Sequence, residues 1–223
     1  MPAPGPTRKP AEDRRREIAE AALRVVASGG LGRFTSLAVA REVGVSDAAL
    51  FRHFPSMDAI VDAAIDRVEE ILFEGFPPQA ADPVDRLGAF FRRRVEAIRF
   101  NPGVSRLVAT DELAKAGSAA AAARVAGFRR RSTEFVRACL EEAEGRGLLG
   151  PGVRAEEASV IVLGALLALA HATTAPPPAA LPAIAARVWS ALETFLRGPV
   201  ARPQSAGDRP PRPSGRKETR RRS

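Results

Sequence analysis

Residues Thr35 to Met57, TSLAVAREVGVSDAALFRHFPSM, carry the one spacing in this sequence that points to a particular chemistry. Ala40, Gly44 and Leu50 stand at offsets of 0, +4 and +10. Two short helices crossing steeply around a tight turn need that order: a small contact residue, a glycine in the turn and an apolar plug. Val39, Val43, Val45 and Phe54 supply the other apolar contacts. Thr35, Ser46 and Ser56 are each placed as N-caps, marking three consecutive helix starts. A helix pair of this kind lays the start of its second helix against the edges of base pairs. By chemistry alone, a carboxylate such as that of Asp47 can accept from a cytosine amino group, and a methyl such as that of Ala48 or Ala49 can meet that of thymine. Arg52 and His53 can donate to phosphates. Two plainer readings stay open on spacing alone. Short helix pairs with a glycine turn also serve as packing, and Asp47 can simply complement a helix dipole.

Other chemistries find no residues. The single cysteine, Cys139, excludes a disulfide scaffold and a cysteine-based zinc finger. His53 and His171 are too far apart in sequence for short metal-ligand spacing. There is no phosphate-binding glycine loop and no nucleophile elbow. Glu69-Glu70, Glu141-Glu142 and Glu156-Glu157 are adjacent on helices, so their side chains diverge and read as solvated faces. No enzymatic activity, cofactor or metal is expected.

The elements that must position the segment are helical throughout. No stretch alternates with period two, tyrosine is absent, and Ala, Leu, Arg and Glu dominate. The expected fold is all-α with about nine helices. The first covers about 14–28, with Ile18, Ala22, Val25 and Val26 on one face. Two short helices follow Thr35 and Ser46, and a fourth of about 19 residues follows Ser56. A fifth runs from Asp82-Pro83 to about Phe100, a sixth to about Lys115, and a long seventh over about 118–146. The last two cover about 155–174 and 181–197. The dense apolar stretch 158–172 spans roughly 22 Å at ~1.5 Å per residue, short of the ~30 Å of a bilayer. It reads as a buried helix rather than a membrane span.

The chain carries 34 Lys and Arg against 26 Asp and Glu, net +8, yet the excess is confined to its ends. Residues 1–16 are +3, residues 198–223 are +6, and the body between them is −1. The high pI therefore describes two Pro-rich basic arms, which suit a polyanion, nucleic acid before membrane. Solubility alone is the plainer account of them. The domains expected are a basic arm (1–13), a helix-turn-helix domain (14–56), a helical body (57–197) and a basic tail (198–223). With no signal-peptide core at Met1-Pro-Ala-Pro-Gly-Pro, a cytoplasmic, nucleoid-associated protein is expected.

Residues 14–60, and above all the run GVS-x-x-x-LFRHFPS, resemble the TetR-type DNA-binding domain. The resemblance implies a dimeric transcriptional regulator, acting as a repressor that a small-molecule effector releases from a double-stranded DNA operator. It implies base contacts from Asp47, Ala48 and Ala49, and phosphate contacts from Thr35, Ser36, Phe51, Arg52, His53 and Met57. The sequence departs from the family pattern twice: Phe51 stands where tyrosine is usual and Met57 where lysine is usual, and neither can donate. Arg8, Lys9 and Arg14–Arg16 are expected to compensate in part. The resemblance further implies a subunit interface on the last two helices, assigned to Val162, Leu166, Leu169, Val188, Trp189 and Leu192. An effector pocket is assigned to Phe73, Phe90, Phe91, Phe128, Phe135, Cys139 and His171, lining that suits an apolar or aromatic ligand. Residues 99–108, RFNPGVSRLV, together with the recognition segment, are similar to the family's nucleoid-occlusion branch. That resemblance implies the alternative of a DNA-bound interaction protein without a small-molecule effector.

Overall fold

The computed structural model describes residues 11–109, 117–172 and 181–198. Among them are nine α-helices and one 3₁₀ turn, with no strand. α1 is Ala11–Gly29, followed by the 3₁₀ turn Leu31–Arg33, α2 Ser36–Val43, α3 Asp47–Leu50 and α4 Met57–Phe73. α5 is Pro83–Phe100, α6 Pro102–Ala109, α7 Ala119–Gly145, α8 Ala155–Ala172 and α9 Leu181–Arg197. The all-α expectation and its helix order hold.

Differences of extent have local causes. α1 begins at Ala11, earlier than the expected 14, because Glu12 and Asp13 sit in its first turn, where acids complement the dipole. Arg14 also pairs with Glu17 at 2.9 Å within that helix. α3 is a single turn that closes at the Phe51–His53 turn. The expected end of the sixth helix near Lys115, residues 173–174, and nearly all of the two arms lie outside the described residues.

Two apolar clusters organise the molecule. One joins Ile18 and Val26 of α1, Val39 and Ala40 of α2, Leu50, Phe54 and the α4 residues Ile60 and Val68. It continues without a break into Val104 of α6 and Val125 and Phe128 of α7. The other joins Leu87 and Phe91 of α5, Val136 and Leu140 of α7, Val162 of α8, and Trp189 and Leu196 of α9. Gly88 is what lets α5 approach α9, since a Cβ there would lie 2.6 Å from the Trp189 ring. α6 bridges the two ends of the molecule. A Cβ at Gly103 would lie 2.7 Å from the Leu23 carbonyl oxygen of α1. On its other side the Ser105 hydroxyl donates to the Ala170 carbonyl of α8 at 3.0 Å. No helix among the described residues is long and apolar enough to cross a membrane.

Candidate nucleic-acid interface

Each of the three helix starts read from the sequence carries a formed cap. Thr35 Oγ1 accepts from the Ala38 amide at 3.2 Å, Ser46 Oγ from Ala49 at 3.1 Å and Ser56 Oγ from Ala59 at 3.2 Å. Gly44 ends α2 at φ +78°, the left-handed conformation that a side chain disfavours. Ala40, Leu50 and Phe54 are fully buried beneath the α2–α3 crossing. Capping, turn and plug therefore hold α3 at a fixed angle on α2.

The side chains named as DNA contacts fall into two groups. Thr35, Ala48, Phe51 and Arg52 are exposed, and Ser36, Ala49 and His53 half-buried, around the start of α2 and of α3. Asp47 is half-buried, and its Oδ1 is buried with no hydrogen-bond partner. Met57 lies half-buried against the apolar cluster rather than on the outer face. Two features of this domain escaped the sequence reading. Leu37, beside Ser36, is 51% exposed and offers an apolar contact. Arg33 and Arg41 are exposed, as Arg52 is, and none of these three makes an ion pair among the described residues.

Arg14, Arg15 and Arg16 are engaged within the protein. Arg15 stacks over Phe54 at 4.5 Å and donates to the His53 carbonyl at 3.2 Å. Arg14 pairs with Glu17, and Arg16 lies within 3.9 Å of Glu20 and 3.6 Å of Glu70. These contacts brace α1 against the His53–Phe54 turn and α4. A helix that begins at Ala11 places them on its flank rather than in an arm. Arg8 and Lys9 lie outside the described residues.

Farther from the helix-turn-helix, Phe73, Phe76, Phe90, Phe128 and Phe135 form a connected aromatic cluster with centroids 4.9–6.2 Å apart. Phe91 points elsewhere, stacking on Trp189 at 5.4 Å in the second core. Cys139 is buried in that same core, and burial pushes its thiol up to about 11. His171 is exposed, with Nδ1 2.9 Å from the Leu167 carbonyl, so it does not line the interior. The buried polar member of the cluster is Arg94, which the sequence does not single out within the run Arg92-Arg93-Arg94. It is 6% exposed, and burial lowers its guanidinium to about 10. Among the described residues, no three His, Cys, Asp or Glu are grouped to hold a metal.

The residues expected at a subunit interface require a correction. Val162, Leu166, Leu169, Trp189 and Leu192 are buried in the chain's own core, and Val188 packs half-buried against it. The outward apolar side chains of these two helices are Val160 (69% exposed), Ile161, Leu167 and Phe195. Between Glu156-Glu157 in its first turn and His171 in its last, α8 is almost wholly apolar, so its sequence carries only a weak amphipathic signal to separate the two faces.

Residues 18–64 match the family profile described as bacterial regulatory proteins, tetR family. Over 105 residues the chain is 34% identical to the nucleoid occlusion factor SlmA of Marinomonas sp. (strain MWYL1), covering 46% of this chain and 53% of that protein. The chain thus spans about half the length of the curated relatives it matches. Among solved structures, the TetR family transcriptional regulator PfmR from Thermus thermophilus superposes with a TM-score of 0.66 at 21% identity, covering 86% of this chain and 99% of that one. AibR in complex with isovaleryl coenzyme A and operator DNA superposes at 0.65 and 17% identity, covering 84% and 100%. These two establish a shared fold.

Proposed function

We propose that the chain, whose residues 18–64 match the tetR family profile, is a sequence-specific, homodimeric DNA-binding transcriptional regulator, a repressor released by a small-molecule effector. The observation that carries this reading is the capped, glycine-turned α2–α3 pair with Leu37, Ala48 and Phe51 exposed around it, along with Arg33, Arg41 and Arg52, which make no ion pair among the described residues. Such a surface supplies phosphate donors around a small, methyl-rich reading edge. The Phe51 ring can pack against sugar but cannot donate, so binding leans on few ionic contacts.

Dimerisation uses the outward face of α8 and α9 around Val160, Ile161, Leu167 and Phe195. Two copies present two reading helices, and the half-site spacing follows from their separation. Effector binding in the aromatic core shifts α4 and so changes that separation, provided the effector binds one state better than the other. Selection of bound duplexes from a random pool tests the reading. A palindromic pair of half-sites is expected, and a pool that remains unenriched sinks it.

The similarity to nucleoid occlusion factors favours a second reading, a DNA-bound interaction protein that answers to a protein partner instead of a small molecule. Release of the selected operator by a small molecule co-purifying with the protein separates the two readings.

A further inference from the structure

Arg94 and Arg131 share the ring of Phe73, their guanidinium carbons 5.1 and 4.1 Å from its centroid. Arg94 also lies 4.9 Å from the Phe90 ring, and Arg131 lies 4.7 Å from the Phe76 ring. Neither arginine makes an ion pair among the described residues. Two cations thus face one aromatic cluster with no carboxylate between them, and Arg131 adds its repulsion to the cost of burying Arg94. Of the five N–H donors a guanidinium carries, Arg94 engages one, Nη2 to Ser132 Oγ at 3.0 Å. Ser132 in turn donates to the Phe128 carbonyl at 2.9 Å, which fixes its oxygen as the acceptor. Three other semi-buried arginines pair with acids, Arg67 with Glu20, Arg86 with Glu142 and Arg197 with Asp82, while half-buried Arg99 stacks on Phe100 at 3.7 Å. An arginine that is buried and left without an acid is the exception, because removing a guanidinium from water costs several kcal/mol unless an anion or good hydrogen bonds compensate.

We propose that Arg94, with Arg131 beside it, is the recognition point for an anionic effector: a carboxylate carried on an aromatic or aliphatic body that packs among Phe73, Phe76 and Phe90. A carboxylate matches the planar guanidinium fork, and the rings supply the apolar wall. An open cleft of about 840 Å³, lined also by Asp66, Glu69, Glu70 and Glu74, reaches the cluster at Phe73 and Arg131. The cavity touching Arg94, Phe76 and Phe90 is about 10 Å³, so the ligand has to part these rings to reach Arg94. The inference rests on the effector-responsive reading above and sharpens its expectation of a purely apolar or aromatic ligand.

Calorimetric titration of the full chain with decanoate and with 4-phenylbutyrate, each against its own uncharged primary amide, tests it. At least one carboxylate is expected to bind about 10- to 100-fold more tightly than its amide, the range a charge-assisted hydrogen-bonded pair supplies. Arg94→Met is expected to erase that preference by weakening the carboxylate far more than the amide, and Arg94→Lys to keep part of it. Equal affinity for acid and amide, absence of binding by all four compounds, or a preference that survives Arg94→Met overturns the proposal. The acid–amide comparison in the unmutated protein decides even if Arg94→Met fails to fold. Operator binding without any compound is measured alongside. Its loss defeats the regulator reading, whereas intact DNA binding without carboxylate preference defeats only the anionic effector.

Discussion

Asp82 and Arg197, 115 residues apart, meet through two hydrogen bonds of 3.1 and 3.2 Å, fastening the start of α5 to the end of α9. The same carboxylate caps α5, accepting from the Val84 and Asp85 amides at 2.7 and 3.0 Å. One side chain therefore closes both a helix end and a tertiary contact. Burial acts to raise the carboxyl, but the Arg197 hydrogen bond and the two amides outweigh it and hold it below the usual 3.8.

Replacing Asp82 with alanine is expected to cost about 1–2 kcal/mol, the scale of a lost N-cap, since the Arg197 pair is partly open to water. Because the carboxyl is depressed in the folded state, its contribution is present above pH 3.8 and fades as pH falls through the folded value. Urea denaturation at pH 7 and at pH 3 measures this. The variant should lose less stability than the parent on acidification.

Cys139 gives the opposite sign at the alkaline end. Its thiol is raised from 9.0 to about 11, so the unfolded chain ionises first. The stability tied to the neutral buried thiol is complete below pH 9 and is lost as pH rises toward 11, on the order of 2 kcal/mol in all. Cys139→Ala should flatten the stability profile between those values. Iodoacetamide should label the native thiol far more slowly than the unfolded one.

Arg52 and Arg15 are both cations of the helix-turn-helix domain but are expected to fail differently. Arg52→Ala removes an exposed cation without an ion pair, so affinity for the selected operator should fall and the log–log salt slope flatten by about one. Arg15→Ala breaks the stack on Phe54 and the hydrogen bond to the His53 carbonyl. It should lower thermal stability, by about 1 kcal/mol, and leave the salt slope unchanged. Thermal melts read the first effect, and fluorescence anisotropy across salt concentrations the second.

Ile161→Arg places a charge in the outward face of α8. Burying it against a partner costs about 3 kcal/mol or more, roughly a 100-fold weaker dimer. Sedimentation should show monomer, with operator affinity falling in step. Val162→Ala, one residue away, instead opens a void in the chain's own core and should lower stability with the dimer retained.

The contrast between Ile161 and Val162 shows where sequence reasoning reached its limit. Local chemistry was legible: Thr35, Ser46, Ser56 and Asp82 announce their helices, and Gly44 its turn, because a cap or a left-handed residue is decided within four positions. The facing of a helix as apolar as α8 is decided mainly by its neighbours. So is the fate of one arginine in the run Arg92-Arg93-Arg94. Arg93 reaches out to the Glu74 and Gly75 carbonyls, while Arg94 turns inward onto Ser132 of α7. His171 was misplaced for the same reason, since nothing within its own helix says which side meets α6.

The unbroken packing from Ile18 through Val104 to Phe128 has a consequence for anyone wishing to reuse this reading head. A chimera cut after Ser56 would strip Val39, Leu50 and Phe54 of the α4 side chains that close over them. It would also leave Val104, Val125 and Phe128 of the recipient facing a foreign surface. The transplantable unit is larger than α2 and α3. A graft that retains specificity has to carry α4 whole, together with the edge of α6 at Gly103 where the two backbones touch.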